Sequence, residues 1–498
     1  MQDIHIREAK MQERAKSFTF RQFVQRLCSR EPMNFYRYPE GISIYPDTPR
    51  RWIIKPPKVY EQERDGLTDY GRDYDFSKSF RENFGNFFHE IPKIAIRAFP
   101  PYENSDYAEW AFRWLKNGYL CVGAGLNCEN IMYSLETKES CRNVLNSIMV
   151  RNNCQNIYRS TAVFNSYNIF YSRLVNNSSD VWFSSNMVGC HDCLLCTNLL
   201  NQSYCIQNQA YPKEEYLVKK EEFLAQKEQF MQRYDETKTN EFIISKNVTG
   251  HFFIESQNVQ DGLYAYRMRD SQNIFLSGSI NGNSEVVNGV TLGAPRLDKA
   301  YNVVNSGEWS NLYSSDYMGT CTNCYYSYFL ENCSYCLWCV GLKNKQFCIL
   351  NKEYSKEERH ELADKIFAQM DQEWALGDFF PGSMNPYYFN DTAAYLIDDS
   401  FTKEEVTKEG YLWRDEAMAT DIPAWAEVVR TKELSNFQRI GFNGNREIDP
   451  NILKKVIKDE KGNCYRIVKM EYDFLVKYGL PLPELHRLDR IKLWFKFK

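Results

Sequence analysis

The sequence predicts a mainly β protein: two duplicated short β-solenoids of about 12 residues per coil, each capped by a helix, between mixed α+β terminal modules. Three observations predict this. A five-residue box recurs as Asn130-Ile131-Met132-Tyr133-Ser134, Asn143-Val144-Leu145-Asn146-Ser147, Asn156-Ile157-Tyr158-Arg159-Ser160, Asn168-Ile169-Phe170-Tyr171-Ser172 and Asp180-Val181-Trp182-Phe183-Ser184. Its lead positions, 117, 130, 143, 156, 168, 180, 192 and 204, step by 13 three times and by 12 thereafter. Second, an apolar residue stands near the seventh place after each lead, as in Val150, Val163, Val175 and Leu199. Third, 13 of the 27 positions in 190–216 are identical to their partners in 333–359, an internal duplication at an offset of 143.

A unit of that length cannot bury its apolar face alone, but stacked coils can. Successive coils then lie ~4.8 Å apart with their backbones paired. The lead Asn and Asp form a ladder at one corner, and Ser134, Ser147, Ser160, Ser172 and Ser184 line a second, with Cys196 next in that column. In the second half Asn311, Asn323 and Tyr335 lead, while Ser315, Ser327 and Cys339 fill the serine column. Upstream, Asn247, Asn258, Asn273 and Asn302 read as less regular leads, and the polar stretch GSINGNSEVVNGVTLGAPR reads as a loop between the last two.

The cysteines follow from this pattern. Cys190, Cys193, Cys196 and Cys205 match Cys333, Cys336, Cys339 and Cys348, so each CxxC marks inward positions three residues apart. Buried cysteine packs as a small hydrophobe, which makes core filling the first reading. Zinc held by these same eight thiolates is the alternative; otherwise the expectation is no cofactor.

The elements divide as an irregular, partly helical N-terminal module (1–110), solenoid 1 (111–210), a capping helix (211–240), solenoid 2 (241–352), a second capping helix (353–375) and a C-terminal module (376–498). Pro212, and Ser355 followed by Glu358, are helix start signals. Leu217, Leu224 and Met231, and Leu362, Ile366 and Met370, are the expected buried stripes. The opening MQDIHIREAKMQERAKSFTF lacks an apolar signal-peptide core and reads as a docking helix. Asp69, Asp73 and Asp75 with Arg72 read as a loop and capping cluster.

Composition narrows function. Lys and Arg number 61 against 65 Asp and Glu, a net of −4, so no global charge draws the chain to nucleic acid or anionic lipid. No apolar run reaches the ~18 residues of a membrane span. The six histidines form no motif with a nucleophile, and no phosphate-cradling glycine loop is present. The tail HRLDRIKLWFKFK offers Arg487, Arg490, Lys492, Lys496 and Lys498 among aromatic residues, a candidate nucleic-acid contact or a segment docked on the protein itself.

YGRDYDFSKSF, ENSDYAEW, ENCSYCLWCVGLKNKQFCILNKEYSKEER, NDTAAYLIDDSFTKEEVTKEGYLWRDE and GNCYRIVKMEYDFLVKYGLPLPELHRLDRIK together resemble an uncharacterised family of cysteine-rich repeat proteins. That family occurs in ultra-small bacteria and large viruses, with zinc-ribbon-like modules flanking the repeats. The resemblance implies a C-terminal ribbon that is degenerate here, since only Cys464 and His486 remain as ligand types, with Cys28 at the N-terminal counterpart. It implies no activity. The resulting expectation is a non-enzymatic β-solenoid scaffold, a component of a larger assembly such as a virion or particle shell, whose partners are other proteins. The alternative is a nucleic-acid- or zinc-binding protein using the C-terminal module. The expected location is the cytoplasm or an assembled particle.

Overall fold

The computed structural model describes residues 2–47, 52–98, 102–105, 107–111, 114–231, 242–243, 245–276, 278–284, 286–290, 300–306, 310–373, 375–416, 426–441 and 446–495. The chain forms two compact units, one of Met1–Arg97 with Asn240–Trp413, the other of Ala98–Thr239 with Arg414–Lys498. Solenoid 2 therefore shares its unit with residues 1–97 and with the first part of the expected C-terminal module, 376–413, and solenoid 1 shares its unit with 414–498. The helices used below are α1 (Gln2–Lys16), α2 (Pro57–Glu63), α3 (Phe80–Glu90), α4 (Lys213–Ala225), α5 (Lys356–Gln372), α6 (Lys469–Tyr478) and α7 (Arg487–Lys492).

Solenoid 1 is a parallel stack with two four-residue strands per coil, such as Tyr167–Phe170 and Arg173–Asn176. Arg142 pairs with Gln155, Gln155 with Tyr167 and Tyr167 with Ser179, so the coil shortens from 13 to 12 residues where the sequence spacing does. The backbone turns at every third residue through left-handed φ: Asn168 (56°), Tyr171 (49°), Leu174 (49°) and Asn177 (49°). The residue after each corner points inward, and Ile169, Ser172, Val175 and Ser178 are all buried. This conformation costs ~1–2 kcal/mol for most L-residues and less for Asn. That explains the asparagine-rich corners. Backbone bonds between coils, such as Tyr171 N–H to Tyr158 O at 3.0 Å, offset the remaining cost.

The serine column has its own bonding pattern. Ser160 Oγ donates to Tyr158 O at 2.9 Å and accepts from the Ser172 N–H at 3.2 Å. A small inward hydroxyl thus satisfies its own coil and the next one. The last coil has no following strand, and Asn208 supplies the missing partners: Oδ1 accepts from Thr197 N–H at 2.8 Å and Nδ2 donates to Thr197 O at 2.9 Å.

Solenoid 2 repeats the scheme less evenly. Tyr301 pairs with Tyr313 and Val303 with Ser315, which puts Asn302 in register with Ser314. Asn273 and Asn302 are therefore not lead residues, as the spacing suggested; they stand one corner later, in a ladder through Asn288. The longer coils here, with ladder steps of 15 and 14 residues, hid the shift. The supposed polar loop is also partly a coil. Val286–Val290 pairs with neighbouring strands and its valines are buried.

Within this unit, the N-terminal module covers solenoid 2. Arg64 Nε donates to Gly341 O at 2.7 Å and its Nη2 to Phe329 O at 3.2 Å, while Nη1 pairs with Glu331 at 2.9 Å. Asn351, the duplicate of Asn208, bonds Val340 in the same way and also donates to Leu67 O at 3.0 Å. Arg30 pairs with Asp316 at 2.6 Å, both side chains buried.

The other unit joins solenoid 1 to a small C-terminal sheet of Glu427–Arg430, Lys455–Lys458 and Cys464–Tyr465, with α6 and α7. Tyr133 donates to Glu471 at 3.0 Å, Glu471 pairs with Arg490 at 2.8 Å, and Phe474 stacks on Tyr158 with ring centroids 5.8 Å apart. Both capping helices form, α5 with the expected Ser355/Glu358 box. On α4 the buried residue is Tyr216 rather than Leu217, which is 44% exposed. The stripe is displaced at its start because Tyr216 packs on Tyr204 of the last coil, while Leu224 and Met231 join the core as expected.

Candidate interaction surfaces

All sixteen cysteines are free and buried. Cys190, Cys193, Cys196 and Cys205 belong to the interior of solenoid 1 together with Val181 and Met187. Cys196 takes over the serine role: Sγ donates to Leu194 O at 3.2 Å and accepts from the Asn208 N–H at 3.4 Å. Cys190 donates to Leu199 O at 3.3 Å, and Cys193 and Cys205 donate to His191 O and Ser203 O, each at 3.5 Å. In solenoid 2, Cys333, Cys336, Cys339 and Cys348 donate to Glu331, Ser334, Leu337 and Gln346 carbonyls at 3.3–3.6 Å.

Each of these eight thiols is aimed at a main-chain carbonyl. Burial pushes the Cys121 thiol up to about 12 and those of Cys324 and Cys339 well above the ordinary value, whereas hydrogen bonds from the neighbouring thiols of Cys193, Cys321 and Cys336 lower Cys196, Cys333 and Cys348. Among the described residues, no three His, Cys, Asp or Glu side chains are grouped to hold a metal ion. In the C-terminal module Cys464 and His486 are buried on separate elements, a strand and the cap of α7.

Of the basic tail residues, Arg487 and Arg490 are buried and Lys492 is half-buried. Arg490 lies 4.6 Å over the Tyr133 ring and bonds Asn146 at 3.3 Å as well as Glu471. Lys496 and Lys498 lie outside the described residues. The described part of the tail is docked inside its own unit. In the acidic loop, Asp73 holds Lys352 at 2.7 Å and accepts from the Tyr354 hydroxyl; Asp75 caps Ser77.

Three surfaces were not singled out by the sequence. The first is the corner after the lead ladder, which receives the terminal module in both units. In solenoid 2 Asn273 and Asn288 each donate twice there: once along the ladder, Asn273 to Asn288 at 2.7 Å and Asn288 to Asn302 at 2.6 Å, and once outward, while Asn302 donates outward. The outward bonds go to main-chain carbonyls, Asn273 to Phe18 O at 3.2 Å, Asn288 to Ala15 O at 2.7 Å and Asn302 to Gly377 O at 3.0 Å. Ala15 lies in the last turn of α1, where helix carbonyls lack intrahelical partners, and Phe18 stands two residues beyond the helix. In solenoid 1 the same corner carries Tyr133 and Asn146, bound to Glu471 and Arg490.

The second surface is the end of solenoid 1. Its counterpart in solenoid 2, Val340–Leu342 with Ile349–Asn351, is buried under the segment carrying Tyr60, Arg64 and Leu67. In solenoid 1, Thr197 and Asn198 are exposed and Leu200 is 63% exposed. On α4, Leu217 and Val218 (59%) are exposed too. The duplicates of Leu200, Leu217 and Val218 are the polar Lys343, His360 and Glu361. Asn198 replaces Gly341, whose φ is +77° and where an added Cβ would come within 2.5 Å of Leu67 Cδ1.

The third surface is a groove of about 520 Å³ between the lead ladder of solenoid 1 and one face of α6. Asn117, Asn130, Asn143 and Asn156 form its floor, each amide donating to the next corner residue at 2.8–3.0 Å. Lys469, Asp473, Phe474, Lys477 and Tyr478 form the wall.

Among the described residues, no helix is long and apolar enough to cross a membrane. No family model, no curated protein and no solved structure matches the chain.

Proposed function

We propose that the protein is a non-enzymatic interaction scaffold, working as one component of a larger protein assembly. The observation that carries this reading is the uncovered end of solenoid 1. Two copies of one surface exist in the chain; one is closed by the chain's own residues 57–73, and the other presents Leu200, Leu217 and Val218 to solvent. An open apolar coil end is an aggregation hazard that proteins cover or charge. Its duplicate is both covered and charged, through Lys343 paired with Glu331 at 3.0 Å. Retaining leucines at the open copy is what a docking surface requires. A particle shell or virion component fits this role.

Native size fractionation of source material, with the chain followed by mass spectrometry, tests the reading. Co-migration with a megadalton particle is the expected result, and migration of all the material as free monomer overturns it. Leu200→Lys, which installs the residue of the closed copy, should keep the melting temperature and release the chain from the particle.

A further inference from the structure

We propose that the Asn117–Asn156 groove binds the C-terminal turn of an α-helix from a partner protein, through that turn's main-chain carbonyls. The proposal deepens the scaffold reading and rests on it for the existence of a partner. The chain itself contains the precedent. A left-handed asparagine ladder has two N–H groups per residue, and only one is used in bridging to the next coil. In solenoid 2 the second N–H of Asn273 and of Asn288 binds Phe18 O and Ala15 O, three residues apart where the chain leaves α1.

The spacing also suits a regular helix end. Coils repeat every ~4.8 Å, and three residues of helix advance ~4.5 Å. Successive ladder amides therefore meet carbonyls i and i+3 of a helix end, where up to four carbonyls lack partners.

In solenoid 1, Asn117, Asn130, Asn143 and Asn156 make the same bridging bonds, and their second N–H groups remain for a ligand in the groove they line. Lys469 and Lys477 against Asp473 leave the wall with one net positive charge, which complements the partial negative charge of a helix C-terminus. The half-buried Tyr478 offers ring surface to the apolar side chains of such a turn. A nucleic acid would need more cationic groups than the wall carries, and its phosphates repeat at a longer interval than the ladder.

The test is a fluorescence-anisotropy titration of the full chain with a labelled, lactam-stapled peptide QDIHIREAKMQERAKSFT, the sequence of residues 2–19. Two variants accompany the wild type. Asn130→Gly/Asn143→Gly keeps the left-handed corners and removes the amides; Lys469→Glu/Lys477→Glu leaves the ladder intact and reverses the wall charge. Saturable binding, weakened about tenfold or more by losing two hydrogen bonds and weakened also by charge reversal, is expected. Should the glycine variant melt early, the charge variant decides alone. No saturable binding up to millimolar protein, or equal affinity for all three chains, overturns the proposal. A chain that fails this titration yet travels with a particle would leave the scaffold reading standing.

Discussion

Replacing Gly341 by Asn, the residue its duplicate carries at 198, separates steric fit from backbone strain. Asn198 already adopts a φ of 56° in solenoid 1, so Asn at 341 meets little conformational penalty at +77°. Its Cβ, however, would enter the space of Leu67 Cδ1 and the Tyr60 hydroxyl. Overpacking of this kind costs ~1–3 kcal/mol. If the segment lifts away instead, the chain forfeits the Arg64 bonds to the Gly341 and Phe329 carbonyls, charge-assisted contacts of ~1.5–3 kcal/mol each. Either route destabilises by at least about 1 kcal/mol. Urea denaturation measures the loss, and hydrogen exchange across residues 57–73 shows whether the cap has lifted. Asn198→Gly, at the open copy, should change stability by no more than the Asn186–Asn198 bond it removes, about 0.5–1.5 kcal/mol. A Gly341→Asn chain within ~0.5 kcal/mol of wild type, with unchanged exchange in the cap, would refute the account of how the end is closed.

Other outcomes follow from the same geometry. Cys196→Ser and Cys339→Ser place a hydroxyl where serine stands in neighbouring coils, so denaturation midpoints should move by ~1 kcal/mol or less, and chelator should leave melting unchanged; a chelator-dependent drop would restore the zinc reading. Glu471→Gln leaves Arg490 buried beside an uncharged partner and should cost ~3–5 kcal/mol by calorimetry. Burial, reinforced by Arg487 and Arg490, holds the His486 imidazole well below its ordinary value, so the folded chain stays neutral there while the unfolded chain takes up a proton. The stability this confers is complete above pH ~6.5 and falls by up to ~1.4 kcal/mol per unit as pH drops below it. His486→Asn, which keeps an acceptor for the Leu488 N–H, should flatten that slope in pH-dependent denaturation.

The repeats were legible because each coil obeys a local rule. Small inward residues three apart, and an asparagine at the lead corner, are visible in any short window, down to the change from 13- to 12-residue coils at Gln155. The cysteine columns were legible for the same reason, since Cys196 and Cys339 simply continue the serine column. Where coils lengthened, around Asn273 and Asn302, the window lost register and the corner was misplaced. The partnerships of the terminal modules leave no local trace. Tyr133 meeting Glu471, Asn146 meeting Arg490, or Arg64 meeting Gly341 O, joins residues hundreds of positions apart through complementarity that no periodicity encodes. The groove over Asn130 and Asn143 was hidden likewise, because its second wall comes from residues 468–478.

The alternating membership of the two units sets a schedule for synthesis. Residues 1–97 complete their unit only after 240–413 have been made, although 98–239 emerge in between. At ~5–20 residues per second, the first segment waits roughly 15–60 s for its last partner strands. Throughout that interval Phe84, Phe87 and Phe88 of α3, all buried in the finished molecule, lack their final cover. Solenoid 1 must likewise stand with Tyr133, Tyr158 and Phe170 short of their final cover until residues 414–498 arrive. Nascent chains of this protein should therefore depend on holdase protection out of proportion to their length, with the dependence falling as residues 414–498 leave the ribosome.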